Sequence, residues 1–455
     1  MQLLKYLLNI LNKHNVKGYL VGGVIRDYLL ERKTKDIDIV ADNKVGVIAR
    51  EFSDLINGSF VILDQDRHIY RVVTKKFNYD FAPIIGNSIQ KDLLRRDFTI
   101  NALACDIGSI DLKKSINIIP KIIDPTGGKG DLEKKIIRVV NRKVFKEDPL
   151  RLLRGIRFRA ELDFALDSKT ERLLKRDSQL ITEVASERIK EELIKIMAAD
   201  KAADNLNYLE NKGALLSNLI PEVEKMKEIG ECKYHIEDIW THSLYTVEQL
   251  EKLLKENFWN KQVTDDKIPI LKLAALFHDI GKLWTKEVID GEIHFYNHHK
   301  KGAKKVITIL RQFAFSRCEI KYIKKTIRYH MRPLSLYSAD NLTQKGKYRF
   351  FRAAKGVVSD VCLLAAADIL ATKLWNGCEE EIADNLDFIK RLISDTEEIK
   401  QRVSQPLLTG YDVMELLDLE EGPQVGRILD EVREAQARRK INNRKEAIEY
   451  LDELK

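Results

Sequence analysis

Near residue 140 the hydrophobic period of this chain changes. Before that point apolar residues come in short β-type runs, Gly18–Val21, Asp36–Ala41, Phe60–Leu63, Tyr70–Val73 and Ile136–Val140. Turn residues separate them, as in Pro125-Thr126-Gly127-Gly128-Lys129-Gly130, and such bounded runs predict strands. From about Phe145 onward prolines are sparse and apolar residues recur at three and four, the signature of amphipathic helices. The pattern predicts an α+β chain, with a small mixed sheet in an N-terminal head and an all-α remainder. A length of 455 residues allows about three domains. Helix-breaking residues mark soft boundaries at 205–232 (Gly213, Pro221, Gly230) and at 400–410 (Gln405-Pro406). We therefore divide the chain into 1–140, 141–205, 206–400 and a tail at 401–455.

Several function classes drop out. The five cysteines, Cys105, Cys232, Cys318, Cys362 and Cys378, are odd in number, widely spaced and free of Cys-x-x-Cys pairs. That argues against a disulfide framework and a thiolate zinc site, and for a reducing, cytoplasmic setting. Met1–Val16 has leucines at helical spacing but no continuous apolar core, so it reads as a helix and not a leader. No run of 18 apolar residues occurs, so no membrane partner is expected. Lys+Arg exceed Asp+Glu by 78 to 70, a basic balance suited to a polyanion.

The chemistry-bearing residues of the head begin at Gly18-Tyr19-Leu20-Val21-Gly22-Gly23-Val24-Ile25-Arg26-Asp27, which reads strand, glycine turn, helix start. Gly22 and Gly23 let backbone N–H groups approach a phosphate at a helix N-terminus. Asp36-Ile37-Asp38-Ile39-Val40 follows. Residues i and i+2 of a strand share a face, so Asp36 and Asp38 project together and repel unless a cation lies between them. Hard oxygen ligands favour magnesium. Strand, Gly-Gly, Arg-Asp and Asp-x-Asp in this order resemble the nucleotidyltransferase superfamily of DNA polymerase beta. Further landmarks narrow the resemblance: Arg95-Arg96-Asp97-Phe98-Thr99-Ile100-Asn101, Asp124-Pro125 with Gly127, Gly128 and Asp131, Glu147-Asp148-Pro149-Leu150-Arg151, and Glu187-Arg188. Together they are similar to the class II tRNA nucleotidyltransferases, a family of CCA-adding, CC-adding and A-adding enzymes and bacterial poly(A) polymerases. The likeness is strong over residues 17–200.

That resemblance implies attack of a tRNA 3′-hydroxyl on the α-phosphate of CTP or ATP, with pyrophosphate leaving. Such transfers need positioning and charge neutralisation above all. Asp36 and Asp38 would hold magnesium, and Asp80, in Asn78-Tyr79-Asp80-Phe81, is the candidate third carboxylate; its alternative is a surface group at a strand end. Gly22, Gly23, Arg26, Arg96, Asp97, Asn101 and Arg154 would bind the nucleotide, Asp97 accepting from the ribose 2′-hydroxyl. Asp97 also suits a helix cap. Asp148 and Arg151, at i and i+3 of an expected helix, share a face. A carboxylate accepts and a guanidinium donates, which matches the amino group and adjacent ring acceptor of cytosine and adenine and rejects uracil and guanine. Glu147 would hold Arg151 in place. Arg157 and Arg159 follow as candidates for tRNA phosphates; a solvated charged face is the other reading. Nine residues separate Ala82 from Asp92, where full CCA-adding relatives carry a longer loop. The short segment points to CC-only, A-only or poly(A) specificity.

The helical body holds a second constellation, with most of the nine histidines. His242, His278-Asp279, His298, His330 and Asp368 occur in an order that resembles the HD phosphohydrolase superfamily. By that resemblance His242, His278, Asp279 and Asp368 are metal ligands, and His298 and His330 serve a second metal or the phosphate. Imidazole plus carboxylate suits Mn, Ni or Fe. A helical body kept only to hold tRNA is the alternative. Two rivals to the whole reading stand beside it: an HD-type hydrolase whose head merely binds nucleotide, and a non-catalytic RNA-binding protein.

Overall fold

The computed structural model describes residues 2–110, 121–230, 237–338, 343–372 and 379–453. Cys232 and Cys378 lie outside the described residues, and Cys105, Cys318 and Cys362 are free thiols. The chain forms two compact units, Met1–Ala185 with Leu209–Asn218, and Ser186–Tyr208 with Leu219–Lys455. No helix among the described residues is long and apolar enough to cross a membrane.

The first unit is built on a six-stranded sheet. Its strands are β1 (Gly18–Val21), β2 (Asp36–Ala41), β3 (Ser59–Asp64), β4 (Ile69–Val73), β5 (Asn78–Pro83) and β6 (Ala104–Asp106). They lie in the order β3-β4-β5-β2-β1-β6. Only β2 and β5 pair in parallel, in a register that sets Asp38 beside Asp80 and Asp36 beside Asn78. The period of two explains the layering. Tyr79 and Phe81 of β5 turn one way, onto the buried Phe52 of helix Val45–Ile56, at ring distances of 5.1 and 5.7 Å. Asp36, Asp38 and Asp80 occupy the alternate positions. Helix Arg151–Leu162 packs Phe158 edge-on against Phe98 at 5.6 Å. Gly155 permits that approach, because a Cβ there would sit 3.1 Å from the Phe98 ring.

Two expectations need correction. The strand expected at Ile136–Val140 is only Ile136–Ile137, paired with Ala165–Leu166. Beyond it Val139 makes a single bridge to Phe98, and Arg138 and Val140 bond the backbone of Thr99 and Asp97. The segment thus ties down an irregular stretch and does not extend the sheet. The body, expected to be all-α, contains a hairpin of Glu287–Ile289 and Glu292–His294. Its turn is Asp290-Gly291, both left-handed, at φ 52 and 83, and an Asp-Gly pair suits such two-residue turns.

In the second unit, helices Ile268–Leu276 and Val358–Ala371 are buried on nearly every side. Small residues Ala365-Ala366-Ala367 are fully buried there, and small side chains permit close helix packing. The end of the chain has its own small core of Leu408, Val413, Val425, Val432, Ala435, Ile441, Ala447 and Leu451.

Candidate functional site

The head site begins where β1 stops. Gly22 adopts φ 70, a left-handed conformation that favours glycine. Its missing side chain matters as well. A Cβ at Gly22 would lie 2.9 Å from an Arg96 guanidinium nitrogen and 3.5 Å from Asp38 Oδ2. The glycine therefore leaves open a space bordered by both Asp38 and Arg96. Arg96 is aimed by Asp92, whose Oδ2 accepts from it at 3.2 and 3.3 Å. Asp36 is exposed and accepts from Asn78 Nδ2 at 2.9 Å. Asp80 accepts from two Arg71 nitrogens at 2.6 and 2.7 Å. One lone pair on each Asp80 oxygen remains for a further partner. Burial pushes the Asp38 carboxyl up to about 6; Arg96 draws it down, and Asp80 and Asp36 push it up. Three carboxylates on neighbouring strand positions, one of them reluctant to ionise, form a set that a divalent cation would satisfy.

Beside this set runs a buried polar chain. Arg26 donates to Asp27 Oδ1 and to Asn101 Oδ1, both at 2.8 Å. Asn101 Nδ2 donates to Asp97 Oδ1 at 3.2 Å. Asp97 Oδ2 then accepts two bonds from Arg154, at 2.8 and 2.6 Å. Burial alone would raise Asp97, but Arg154, the Phe98 N–H and Asn101 hold it down at about 2. The guanidiniums of Arg26, Arg154 and Arg157 all lie over the Phe158 ring, at 5.2, 5.4 and 4.1 Å. Arg157 is turned onto Glu161 at 2.9 Å, and Arg159 is half-buried on the same helix.

Asp148 and Arg151 do not share a helix face as expected. Asp148 is extended, at φ −151, and the helix starts at Arg151. Pro149 forces this, since the residue before a proline is driven out of the helical region. Asp148 instead caps the turn by accepting from Leu150 N at 3.2 Å. Arg151 donates to Glu147 at 3.3 Å and to the carbonyls of Val144 and Arg95.

A second centre lies in the helical body, where six side chains from five segments meet. His242 comes from helix Ile239–Leu253, His278 and Asp279 from just beyond helix Ile268–Leu276, His298 from the start of helix His298–Gln312, His330 from the end of helix Arg317–Tyr329, and Asp368 from helix Val358–Ala371. The Asp279 carboxylate divides them. Its Oδ2 lies 3.4 Å from His278 Nε2 and 3.8 Å from His242 Nε2. Its Oδ1 lies 3.2 Å from His298 Nε2 and 3.9 Å from His330 Nε2. Asp368 Oδ1 is 3.0 Å from His242 and 3.6 Å from His278.

The ring orientations favour an ion. The Nδ1 atoms of His278, His298 and His330 face the carbonyls of Ala275, Phe295 and Ile327 at 2.8, 3.0 and 2.8 Å. A carbonyl only accepts, so each Nδ1 carries the proton, and in the neutral ring Nε2 presents a lone pair to the cluster. His298 Nε2 and His330 Nε2 confront each other at 3.3 Å, a contact that a shared cation would relieve. Three overlapping triplets here have ligand atoms close enough for one ion. Burial opposes charge on His278, yet Asp279 and Asp368 push it up to about 10, so in the absence of an ion a proton on Nε2 takes the place a metal would hold. Burial and the neighbouring positive charges push His330 down to about 3.

Sequence reasoning missed the residues that aim the others. Arg71 and Asp92 hold Asp80 and Arg96, and neither belongs to a motif. Lys282, 2.5 Å from Asp279 Oδ2, was legible in His278-Asp279-Ile280-Gly281-Lys282 as an i, i+3 partner.

Comparison with known proteins gives a consistent picture. Residues 18–138 match the family described as Poly A polymerase head domain, 163–227 a probable RNA and SrmB-binding site of polymerase A, and 239–373 the HD domain. The CC-adding tRNA nucleotidyltransferase of Thermus thermophilus is 32% identical over 95% of this chain and 92% of its own. The A-adding tRNA nucleotidyltransferase of Deinococcus radiodurans is 29% identical over 95% and 94%. A CCA-adding enzyme solved with CTP has the same fold, with a TM-score of 0.67 at 21% identity over 100% of this chain and 95% of that one.

Proposed function

The chain belongs to the tRNA nucleotidyltransferase family, and from that premise we propose that it adds C or A to the 3′ end of tRNA, using CTP or ATP and releasing pyrophosphate. The observation that carries the head chemistry is the register of β2 and β5, which lines up Asp80 with Asp38, the carboxylate beside Gly22. Asp36, Asp38 and Asp80 hold magnesium in this reading. The ion, when bound, neutralises charge on the attacking and leaving oxygens. Gly22 and Gly23 leave room for the triphosphate, Arg96 faces it, and Arg26, Asn101, Asp97 and Arg154 form a preset wall for the sugar. Asp148 accepts from the base amino group and Arg151 donates to the ring acceptor, with Glu147 setting the Arg151 angle.

We read the specificity as one part of the CCA end. Between β5, ending at Pro83, and helix Ile89–Leu94 there are only five residues, too few for the longer loop of full CCA-adding relatives. The two full-length relatives above are named CC-adding and A-adding. The test offers tRNA transcripts ending at the discriminator base, after one C and after two Cs, with magnesium and labelled CTP or ATP. Stopping after two Cs, or accepting only the CC-ended transcript for A, supports the reading. Growth through C, C and A on one transcript, or long A tails, overturns it. No extension at all sinks the family activity for this chain.

The Nε2-inward histidines support a second activity, hydrolysis of a phosphate ester at the HD centre with Mn, Ni or Fe. Metal analysis of the purified chain, with hydrolysis of bis(p-nitrophenyl) phosphate lost in His278→Ala, tests it. A metal-free, inert protein under all three ions would leave the body as a scaffold. The cytoplasm is the compartment we assign.

A further inference from the structure

Next to the HD cluster the helical body opens a cavity of about 580 Å³. Its charge is one-sided. His299, Lys300, Arg328, Arg332, Arg349 and Arg352 line it, together with Tyr329, Met331, Ser335 and Ala353, and no carboxylate among the described residues does. Among the described residues only Arg352 of the five lysine and arginine cations has an acidic partner, Asp430 at 3.3 Å. Some surface cations elsewhere in this unit are paired, as in Lys345–Glu434, Arg402–Glu398 and Arg444–Asp412. Four helices supply the lining, so tertiary packing assembles the cluster and a local charge run does not. Helix His298–Gln312 brings His299 and Lys300, and helix Arg317–Tyr329 brings Arg328. Helix Arg332–Tyr337 starts at Arg332, and Arg349 and Arg352 lie one turn apart on helix Gln344–Ala354.

Cations gathered this way repel unless an anion joins them. Guanidiniums match phosphate oxygens with paired donors. The cavity is far larger than one phosphate and falls in the ordinary range for ligand sites. Tyr329 adds an aromatic surface on which a base can stack. The cavity also lies beside the metal cluster, since the ring of its lining residue His299 stands 5.6 Å from that of His298 and 6.4 Å from that of His330.

We propose that this cavity holds the backbone phosphates of an RNA strand and feeds the end of that strand to the HD cluster. The substrate class of the HD centre is then an oligonucleotide and not a lone phosphomonoester. The proposal rests on the hydrolase reading of that centre for its second half, and on the cavity alone for its first.

The test uses the full chain and a short oligoribonucleotide carrying 4-thiouridine. Crosslinks mapped by mass spectrometry are expected in the peptides spanning 328–337 and 344–354. In the exposed pair R332E/R349E those crosslinks should disappear. Affinity should fall about tenfold, and the slope of log K against log salt should shrink by about 1.4 for two lost phosphate contacts on a single strand. R332K/R349K, which keeps the charge, should retain most of the binding and shows that the fold tolerates change there. Absence of crosslinks in these peptides, or an affinity and slope unchanged in R332E/R349E, overturns the proposal. Loss of the crosslinks to an equal concentration of GTP overturns the strand in favour of a free nucleotide. Crosslinks without any hydrolysis of bis(p-nitrophenyl) phosphate by the manganese-loaded parent keep the RNA site and remove the hydrolase reading. Hydrolysis without crosslinks does the reverse.

Discussion

Gly281→Ala should take apart the HD centre without touching its ligands. The segment carrying His278 and Asp279 crosses helix His298–Gln312 with Gly281 at the contact. A Cβ on Gly281 would lie 2.0 Å from the His298 carbonyl oxygen, 2.6 Å from Gly302 N and 2.8 Å from the His298 carbonyl carbon. All three are backbone atoms and cannot rotate away. Real Cβ contacts essentially never fall below 3.0 Å, so the two segments must part by about 1 Å, and close-packed interiors resist such shifts. Overpacking of this kind costs roughly 1–3 kcal/mol. At about 2–4 °C per kcal/mol for a unit of this size, 2 kcal/mol lowers the melting transition of the second unit by roughly 4–8 °C. The same shift pulls His298 Nε2 from Asp279 Oδ1, now 3.2 Å apart, and the metal content proposed for the cluster should fall. Gly302→Ala is the graded comparison, since its nearest meeting is 3.0 Å, and it should cost less. Gly426→Ala is the opposite control. It lies inside helix Pro423–Ala437 with nothing within 4 Å, so it should stabilise by about 0.5–1 kcal/mol. The assay is a thermal melt followed by circular dichroism, with metal analysis of the same samples. A Gly281→Ala chain that melts with the parent and keeps its metal would refute the close crossing as the cause of the cluster's geometry.

Three more outcomes are expected. Gly22→Ala must accept φ 70 with a Cβ 2.9 Å from Arg96; roughly 1–2 kcal/mol of backbone strain should lower the melting point modestly and nucleotide addition far more, and equal losses in both would point to unfolding alone. Asp97, held at about 2 against an ordinary 3.8, stabilises the folded chain above pH 4. That contribution, about 2 kcal/mol, is lost as pH falls from 4 through 2, so acid denaturation of Asp97→Asn should be flatter in that window, and an unchanged profile would contradict the assignment. Arg154→Ala strands the buried Asp97 carboxylate and should cost about 3–5 kcal/mol, while Asp97→Asn in that background should recover part of it; a melt showing simple additivity would mean that the two groups are not coupled.

Much of the site was legible because some local patterns carry their geometry with them. Alternation on a strand is enough to put Asp36 and Asp38 on one side, and Gly22-Gly23 after an apolar run is enough to place a turn. The histidine order in the body picked out all six side chains that the structure brings together. Local reasoning failed where two local signals compete. Asp148 and Arg151 have helical spacing, but Pro149 excludes Asp148 from the helix, and Asp290-Gly291 outweighed the helical period around it.

The amino-acid sequence by itself determined the α+β head, the helical body and the carboxylate pair, since each depends on residues near one another in the chain, and the order of the histidines named the second set without showing how its members meet. Tertiary structure alone decided which partners those residues meet. The β2–β5 register brought Asp80 to Asp38, and the β4–β5 pairing set Arg71 opposite it; the crossing at Gly281 set His298 against Asp279; and four helices converged to bring Arg328, Arg332 and Arg349 together with no ion-pair partner among the described residues. Pairings of that kind join residues of separate elements, and their energy comes from burial and charge in the assembled fold. No period or spacing along the chain encodes them.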